Sequence, residues 1–235
     1  MALLAMQKQM TTVGSSTYEA IKHDIVFGKL EPGSKLKLER LRAEYSVSVS
    51  ILRETLSRLA SEGFVTAEEQ RGFFVASISN EDLMEIADLR ILLECTALRT
   101  SIAAGDAEWE GNLVAAHHKL HLMEAKILAG DTTVKETWKR YDWEFHLATI
   151  QACRSRNLLD LHAIIFDKYL RYQMLVLTNR GADAVAEHKA LLDAALARDT
   201  SAAQCVLEAH IRNGLHHTLD AMSSTQATAG NSAGR

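Results

Sequence analysis

Apolar positions along this chain follow three successive rhythms. They recur every three or four residues to about residue 62, lie in two short runs flanking a polar turn to Val75, and return to helical spacing until about residue 222. The first helical stretch, Ser16–Phe27, brings Tyr18, Ile21, Ile25 and Val26 near one face, and Gly28 fits its end. Glu31-Pro32-Gly33 then marks a turn. A short helix over Leu38–Tyr45, a turn at Ser46–Ser48, a second helix over Ser50–Glu62 and a hairpin over Val65–Val75 follow. That order is the layout of a winged helix-turn-helix, a module that reads DNA.

After Asn80 the strand signals vanish. Six helices are expected: Glu81–Ala104, Ala107–Ala129, Val134–Arg154, Asn157–Asn179, Asp183–Arg198 and Ser201–Met222. Asn80 caps the first, and Thr133 with Glu136 forms a capping-box pattern at the third. The one proline, Pro32, precedes all of them, so nothing interrupts the long helices. The expected fold class is therefore mainly α, an N-terminal winged helix-turn-helix followed by an all-α six-helix bundle. The expected divisions are a tail over 1–14, the helix-turn-helix over 15–78, the helical domain over 79–222, and a Ser/Thr/Ala/Gly-rich disordered tail over 223–235.

Composition narrows the compartment. No apolar run approaches the ~18–20 residues that cross a bilayer, and the first ten residues lack the layout of a secretion signal. Cys95, Cys153 and Cys205 are far apart and odd in number, which fits reduced thiols in a cytoplasmic protein. The net charge of −4 disfavours nucleic acid at first sight, but it is unevenly spread. Residues 1–78 hold 10 Lys and Arg against 9 Asp and Glu, and residues 79–235 hold 16 against 21. A local stripe of cations in the first part is enough for DNA.

In Ser50–Glu62 the inner face is Leu52, Leu56, Leu59 and Ala60. Ser48, Ser50, Arg53 and Ser57 remain for the major groove or its phosphates, with Arg53 the first candidate for a base edge or phosphate. Arg58 faces either the DNA backbone or water. Arg71-Gly72 sits where a wing tip would enter the minor groove or touch phosphate.

Residues Ser16–Val75 resemble the N-terminal domain of the GntR family of bacterial regulators. Leu30-Glu31-Pro32-Gly33-Ser34-Lys35-Leu36 resembles the family's opening motif. Val47-Ser48, Arg53-Glu54, Leu56, Arg58-Leu59, Glu62-Gly63-Phe64-Val65 and Arg71-Gly72-Phe73-Phe74-Val75 resemble its core signature. The chain departs from the family at Val49 and Ile51, where Arg and Pro are usual. The resemblance therefore implies DNA binding in which Arg53 and the serine hydroxyls carry more of the readout.

Asp142 and His146 lie four apart on one helical face, with His188 and His210 on later helices. Three imidazoles and a carboxylate suit a divalent transition metal. Spacing alone leaves this open against ordinary packed or exposed histidines, since His117 and His121 form a similar pair. Residues 80–222 also resemble the FCD ligand-binding domain of the FadR branch of GntR regulators. The resemblance rests on Leu89-Arg90 with Glu94, Asp142-x-x-Phe145-His146, Glu187-His188 and His210. It implies that Asp142, His146, His188 and His210 are metal ligands, for zinc first and nickel or manganese otherwise. His117, His118, His121 and His162 match no ligand position and are expected to be surface or packing residues. His217 is left between pocket and solvent.

A metal beside arginine attracts a carboxylate. Arg90 matches a position that can face the cavity in that family. Arg171-Tyr172 is a weaker candidate, and Asn213, one turn past His210, can hydrogen-bond an effector. Lys139 reads rather as a surface ion-pair former, and Trp138, Tyr141, Trp143 and Phe145 as bundle packing. The expectation is a cytoplasmic homodimeric regulator, a repressor first. It binds double-stranded operator DNA under the control of a small carboxylate effector, with no membrane partner and no catalytic residues. A metal-dependent enzyme or a metal sensor using the same four ligands is the rival reading.

Overall fold

The computed structural model describes residues 13–176 and 180–232, with residues 225–232 described by backbone alone. The chain divides into two compact units between Ser79 and Asn80. The first unit holds α1 (Val13–Val26), β1 (Lys35–Leu36), α2 (Leu38–Tyr45), α3 (Val49–Ser61), β2 (Val65–Glu68) and β3 (Gly72–Val75). The second holds α4 (Asn80–Ala104), α5 (Ala107–Leu128), α6 (Lys135–Ile150), α7 (Arg156–Val176), α8 (Ala182–Leu196) and α9 (Thr200–Ser232).

In the first unit the apolar stripes of the three helices meet. Ile21 and Ile25 of α1, Leu41 of α2, and Leu52, Leu56 and Leu59 of α3 are buried, and Phe64 closes the group. Ser46 adopts the left-handed conformation that ends α2, and the Ser48 hydroxyl then accepts the Ile51 N–H at 3.3 Å to start α3. The tight helix-turn-helix corner is built from these two serines. The sheet is antiparallel in the order β1-β3-β2, with Leu36 opposite Phe73 and Val65 opposite Val75. The third strand, β1, was not expected, because two residues are too short to show alternation. Val13 and Gly14 belong to α1 rather than to a tail, and residues 1–12 of the expected tail lie outside the described residues.

The second unit is a six-helix bundle in which α5, α7 and α9 start on side-chain caps. Asp106 accepts the Trp109 N–H at 3.0 Å at the head of α5. At the head of α6 the expected capping box is replaced by a short 3-10 turn, Thr132–Val134, which Asp131 caps through the Thr133 N–H at 2.9 Å. The expected helix to Arg154 stops at Ile150, where another 3-10 turn ends on left-handed Arg154. The expected end of the next helix, Asn179, lies outside the described residues. The last helix also needs correction. It continues past Met222 to Ser232, where a disordered tail was expected. That stretch has no proline, and extending an existing helix needs no new nucleus.

Leu83 and Leu98 of α4, Leu113 and Leu120 of α5, Phe145, Phe166 and Tyr169 form much of the bundle core. Arg90, Glu94, Asp142, His146, His162, His188 and His210 are buried with them. Charged groups in such a place must be paired, and their pairing is what builds the site. Among the described residues no helix is long and apolar enough to cross a membrane.

Candidate metal centre and DNA-reading face

Three helices bring the four candidate ligands together. Asp142 and His146 stand one turn apart on α6, His188 comes from α8 and His210 from α9. One donor atom from each lies within 4.8 Å of all the others, and all four residues are buried. His146 Nε2 is 3.3 Å from His210 Nε2. His188 Nε2 is 3.3 Å from Asp142 Oδ1.

Behind each imidazole stands a glutamate. His146 Nδ1 meets Glu94 Oε2 at 2.8 Å, His188 Nδ1 meets Glu124 Oε1 at 2.6 Å, and His210 Nδ1 meets Glu187 Oε2 at 2.7 Å. An Nδ1–H donated to a carboxylate leaves the lone pair on Nε2. All three rings are thus held in the tautomer that points a lone pair at the others and at the Asp142 carboxylate. The glutamates are anchored in turn. Arg90 Nε donates to Glu94 at 2.7 Å. Arg180 forks onto Glu187 at 2.9 and 2.5 Å, and Asn213 donates to it at 2.8 Å.

Electrostatics agree with that arrangement at His146, His210 and Asp142. Burial and the neighbouring His188 push His210 down to about 3, and burial also holds His146 below its ordinary value. Burial opposes ionisation of Asp142, yet Lys139 and the neighbouring imidazoles of His188 and His146 keep it well below the usual carboxylate range. Burial likewise lowers His188, but the Asp142 and Glu124 carboxylates beside it overcome that and raise the group. Its buried Nε2 nevertheless has no hydrogen-bond partner of proper geometry. Converging imidazole lone pairs, an ionised carboxylate and an orphaned nitrogen fit a divalent transition ion.

Beside the candidate ligands lies a cavity. Arg90, Lys139, Tyr169, Gln173, Arg180 and Gly214 are among the residues that line it. Arg90 reaches it as expected, its guanidinium between the rings of Phe166 and Tyr169 at 4.3 and 4.5 Å. Asn213 sits at a wider outer mouth with Arg180 and His217. Arg171 and Tyr172 are corrected. Neither lines the cavity, because Tyr169 and Gln173, four apart on α7, occupy the facing side, and the Tyr172 hydroxyl donates to Asp82 at 2.6 Å instead. Lys139 is corrected in the other direction. It is buried, donates to Gln173 at 2.9 Å and lies 3.6 Å from Asp142. Trp138 also lines the cavity, while Phe145 packs against the rings of His117, His146 and His188. His162, expected at the surface or in packing, is fully buried 3.3 Å from Glu94.

Sequence reasoning missed Glu124, Arg180, Tyr169 and Gln173. Only the i, i+4 spacing of Tyr169 and Gln173 was a usable signal; Glu124 and Arg180 acquire meaning only once the helices are packed.

In the first unit Ser50, Arg53 and Ser57 share the exposed side of α3, with the Ser48 side chain at its start. Among the described residues no ion pair or hydrogen bond engages the Arg53 side chain. Arg58 is instead held within the unit, 3.7 Å over the Tyr18 ring and 3.3 Å from Glu62. Arg71 pairs with Glu68 across the β2–β3 turn, and Gly72 has φ 96° with open space where a Cβ would lie.

Residues 14–75 match the model of the bacterial regulatory proteins of the gntR family, and residues 85–213 match that of the FCD domain. The chain is 38% identical over 202 residues to the uncharacterized HTH-type transcriptional regulator BphR of Paraburkholderia xenovorans (strain LB400), covering 85% of this chain and 82% of that protein. It is 33% identical over 208 residues to the HTH-type transcriptional repressor GlaR of Escherichia coli (strain K12), covering 86% and 94%. The solved structure of E. coli McbR/YncC superposes with a TM-score of 0.76 over 89% of this chain and 98% of that one, at 19% identity.

Proposed function

The chain belongs to the GntR family of bacterial regulatory proteins, DNA-binding transcriptional regulators rather than enzymes, and from that premise we propose that a small carboxylate bound beside a divalent metal controls its grip on operator DNA. The observation that carries this reading is the ring of three histidines, each oriented by its own glutamate, opening onto a cavity lined by Arg90, Lys139 and Arg180.

Asp142, His146, His188 and His210 hold the ion, zinc first, with nickel or manganese as alternatives. When bound, the ion supplies positive charge and an open coordination position for a carboxylate oxygen. Arg90 and Lys139 add charge around the cavity, Arg180 guards its rim, and Asn213 fixes Glu187. In the first unit Arg53, Ser50 and Ser57 face the major groove, the backbone around Ser48 meets phosphate, and Arg71-Gly72 forms the wing tip. Two copies read a two-fold operator in the cytoplasm. The effector favours one state of the helical domain and thereby shifts DNA affinity by its differential binding. Repression relieved by the acid is the sign adopted here, supported by the description of the GlaR relative as a repressor.

The test is binding of the metal-loaded protein to its own upstream promoter DNA, followed by fluorescence anisotropy, with and without a panel of small mono- and dicarboxylates. Salt-sensitive binding released by one acid supports the reading. Binding that no acid alters, with metal alone switching it, replaces the proposal with a metal sensor.

A further inference from the structure

Outside the four-ligand centre, α5 carries a second set of metal-ligating side chains on one face. His117, His121 and Glu124 stand at i, i+4 and i+7. We propose that these three residues form a second, separate site for a divalent transition ion.

Two buried polar atoms there lack partners. His117 is 8% exposed, and its Nε2 is buried with no hydrogen bond. Glu124 is 3% exposed; its Oε1 accepts from His188, while its Oε2 is buried with no hydrogen bond. A buried polar atom without a partner is costly, so each points to an occupant. Glu124 is also the exception among the carboxylates of this core. Arg90 neutralises Glu94, Lys139 faces Asp142 and Arg180 forks onto Glu187. Among the described residues no lysine or arginine pairs with Glu124, which has only the imidazoles of His188 and His121.

The helix spacing suits an ion once the exposed His121 ring turns. The rings of His117 and His121 lie 9° from parallel with centroids 6.1 Å apart. Stacked imidazoles hold their in-plane lone pairs in separate planes, so one of the two rings must turn before both can reach one ion at about 2.0–2.1 Å. His121 Nδ1 is 3.9 Å from Glu124 Oε2, and the His121 side chain is 55% exposed, so it can turn to complete the set without displacing the core. Two imidazoles and a carboxylate oxygen select zinc, nickel or copper over calcium or magnesium. The remaining coordination positions open to solvent on the His121 side. This site is more accessible than the four-ligand centre and is expected to exchange faster.

The experiment titrates chelator-stripped, full-length protein with Zn²⁺ and reads stoichiometry by calorimetry, with circular dichroism as the folding control. The variants are His121→Ala, His118→Ala, His210→Ala and the double variant His210→Ala/His121→Ala. His121 and His118 are exposed, so neither change disturbs the core. The expected result is two ions per chain for the wild type and for His118→Ala, one for His121→Ala, one for His210→Ala and none for the double variant. If His210→Ala and the double variant bind zinc alike, the α5 site is overturned. If His210→Ala binds as the wild type does while His121→Ala loses an ion, the α5 site stands and the four-ligand reading fails.

Discussion

Replacing Glu187 by glutamine tests whether the glutamates behind the imidazoles act on the metal or merely fill space. Glu187 receives donors on both oxygens: Oε2 faces His210 Nδ1 at 2.7 Å and one arm of Arg180, and Oε1 faces the other arm and Asn213. A glutamine has one acceptor oxygen. If it keeps that oxygen toward His210, its NH₂ faces Arg180 and Asn213, both donors. If it turns, its NH₂ faces His210 Nδ1 and favours the tautomer that carries the proton on Nε2, where the metal must bind. Loss of such a brace costs about 10–100-fold in metal affinity, or roughly 1.4–2.7 kcal/mol. Folding should be little affected, because the Glu187 side chain is at the rim and 18% exposed. Glu94→Gln is the contrast. It leaves Arg90 facing a neutral partner at full burial, and breaking a buried pair costs about 3–5 kcal/mol of stability. Zinc competition against a chromophoric chelator gives the dissociation constants, and thermal melts of the stripped proteins give the stabilities. A Glu187→Gln protein that binds zinc within twofold of the wild type refutes the bracing argument.

Three further outcomes are expected. Arg53→Ala should weaken operator binding by about 1–3 kcal/mol if Arg53 reads a base, or lower the salt slope by about one unit if it meets phosphate, with zinc binding unchanged; normal operator affinity would remove Arg53 from the interface. Arg58→Ala should lower the stability of the first unit by about 1 kcal/mol, from its stacking on Tyr18 and its pairing with Glu62, as read by urea unfolding of the full chain. Gly214→Ala should impair carboxylate binding more than metal binding, since a Cβ there would lie 2.8 Å from the Tyr169 hydroxyl and push that ring into the cavity, at a cost of about 1–3 kcal/mol; effector titration followed by calorimetry measures it.

Long amphipathic helices and the serine turn at Ser46–Ser48 were legible in the sequence because each rests on local chemistry, a periodic stripe or a cap. The β1 strand was not, since two residues carry no period and Lys35–Leu36 is extended only because β3 lies beside it. The same divide runs through the site. Asp142 and His146 form an i, i+4 pair visible on one helix, but joining them to His188 and His210 required the family resemblance. Arg171 was misjudged because an arginine beside a tyrosine suggests recognition, whereas helix phase turns Tyr169 and Gln173 to the cavity. Lys139 was misjudged because lysine is usually solvated. Here the Asp142 carboxylate, the Gln173 amide oxygen and the Trp138 ring, 4.2 Å from its ammonium group, make burial tolerable.

Arg180 is where the proposed effector site and the proposed metal shell meet. Its guanidinium forks onto Glu187, lies 2.9 Å from His210 Nδ1, and lines both the inner cavity and the outer mouth. Arg90 is enclosed between two rings with its Nε bonded to Glu94, and Lys139 is held between Asp142 and Gln173. Of the three cations in the cavity, only Arg180 sits at the rim, with 13% of its side chain exposed. An incoming carboxylate that engages Arg180 competes with Glu187, and Glu187 is also the brace of His210. Arg180→Ala is therefore expected to leave zinc bound, since Asn213 still holds Glu187, while weakening the response to the effector by about tenfold or more, the scale of one charge-assisted fork of about 1.5–3 kcal/mol. The assay is the effector concentration that releases operator DNA from zinc-loaded protein, compared between Arg180→Ala and the wild type. An unchanged release curve with intact zinc binding would place the effector's charge partner elsewhere and leave Arg180 as a structural member of the rim alone.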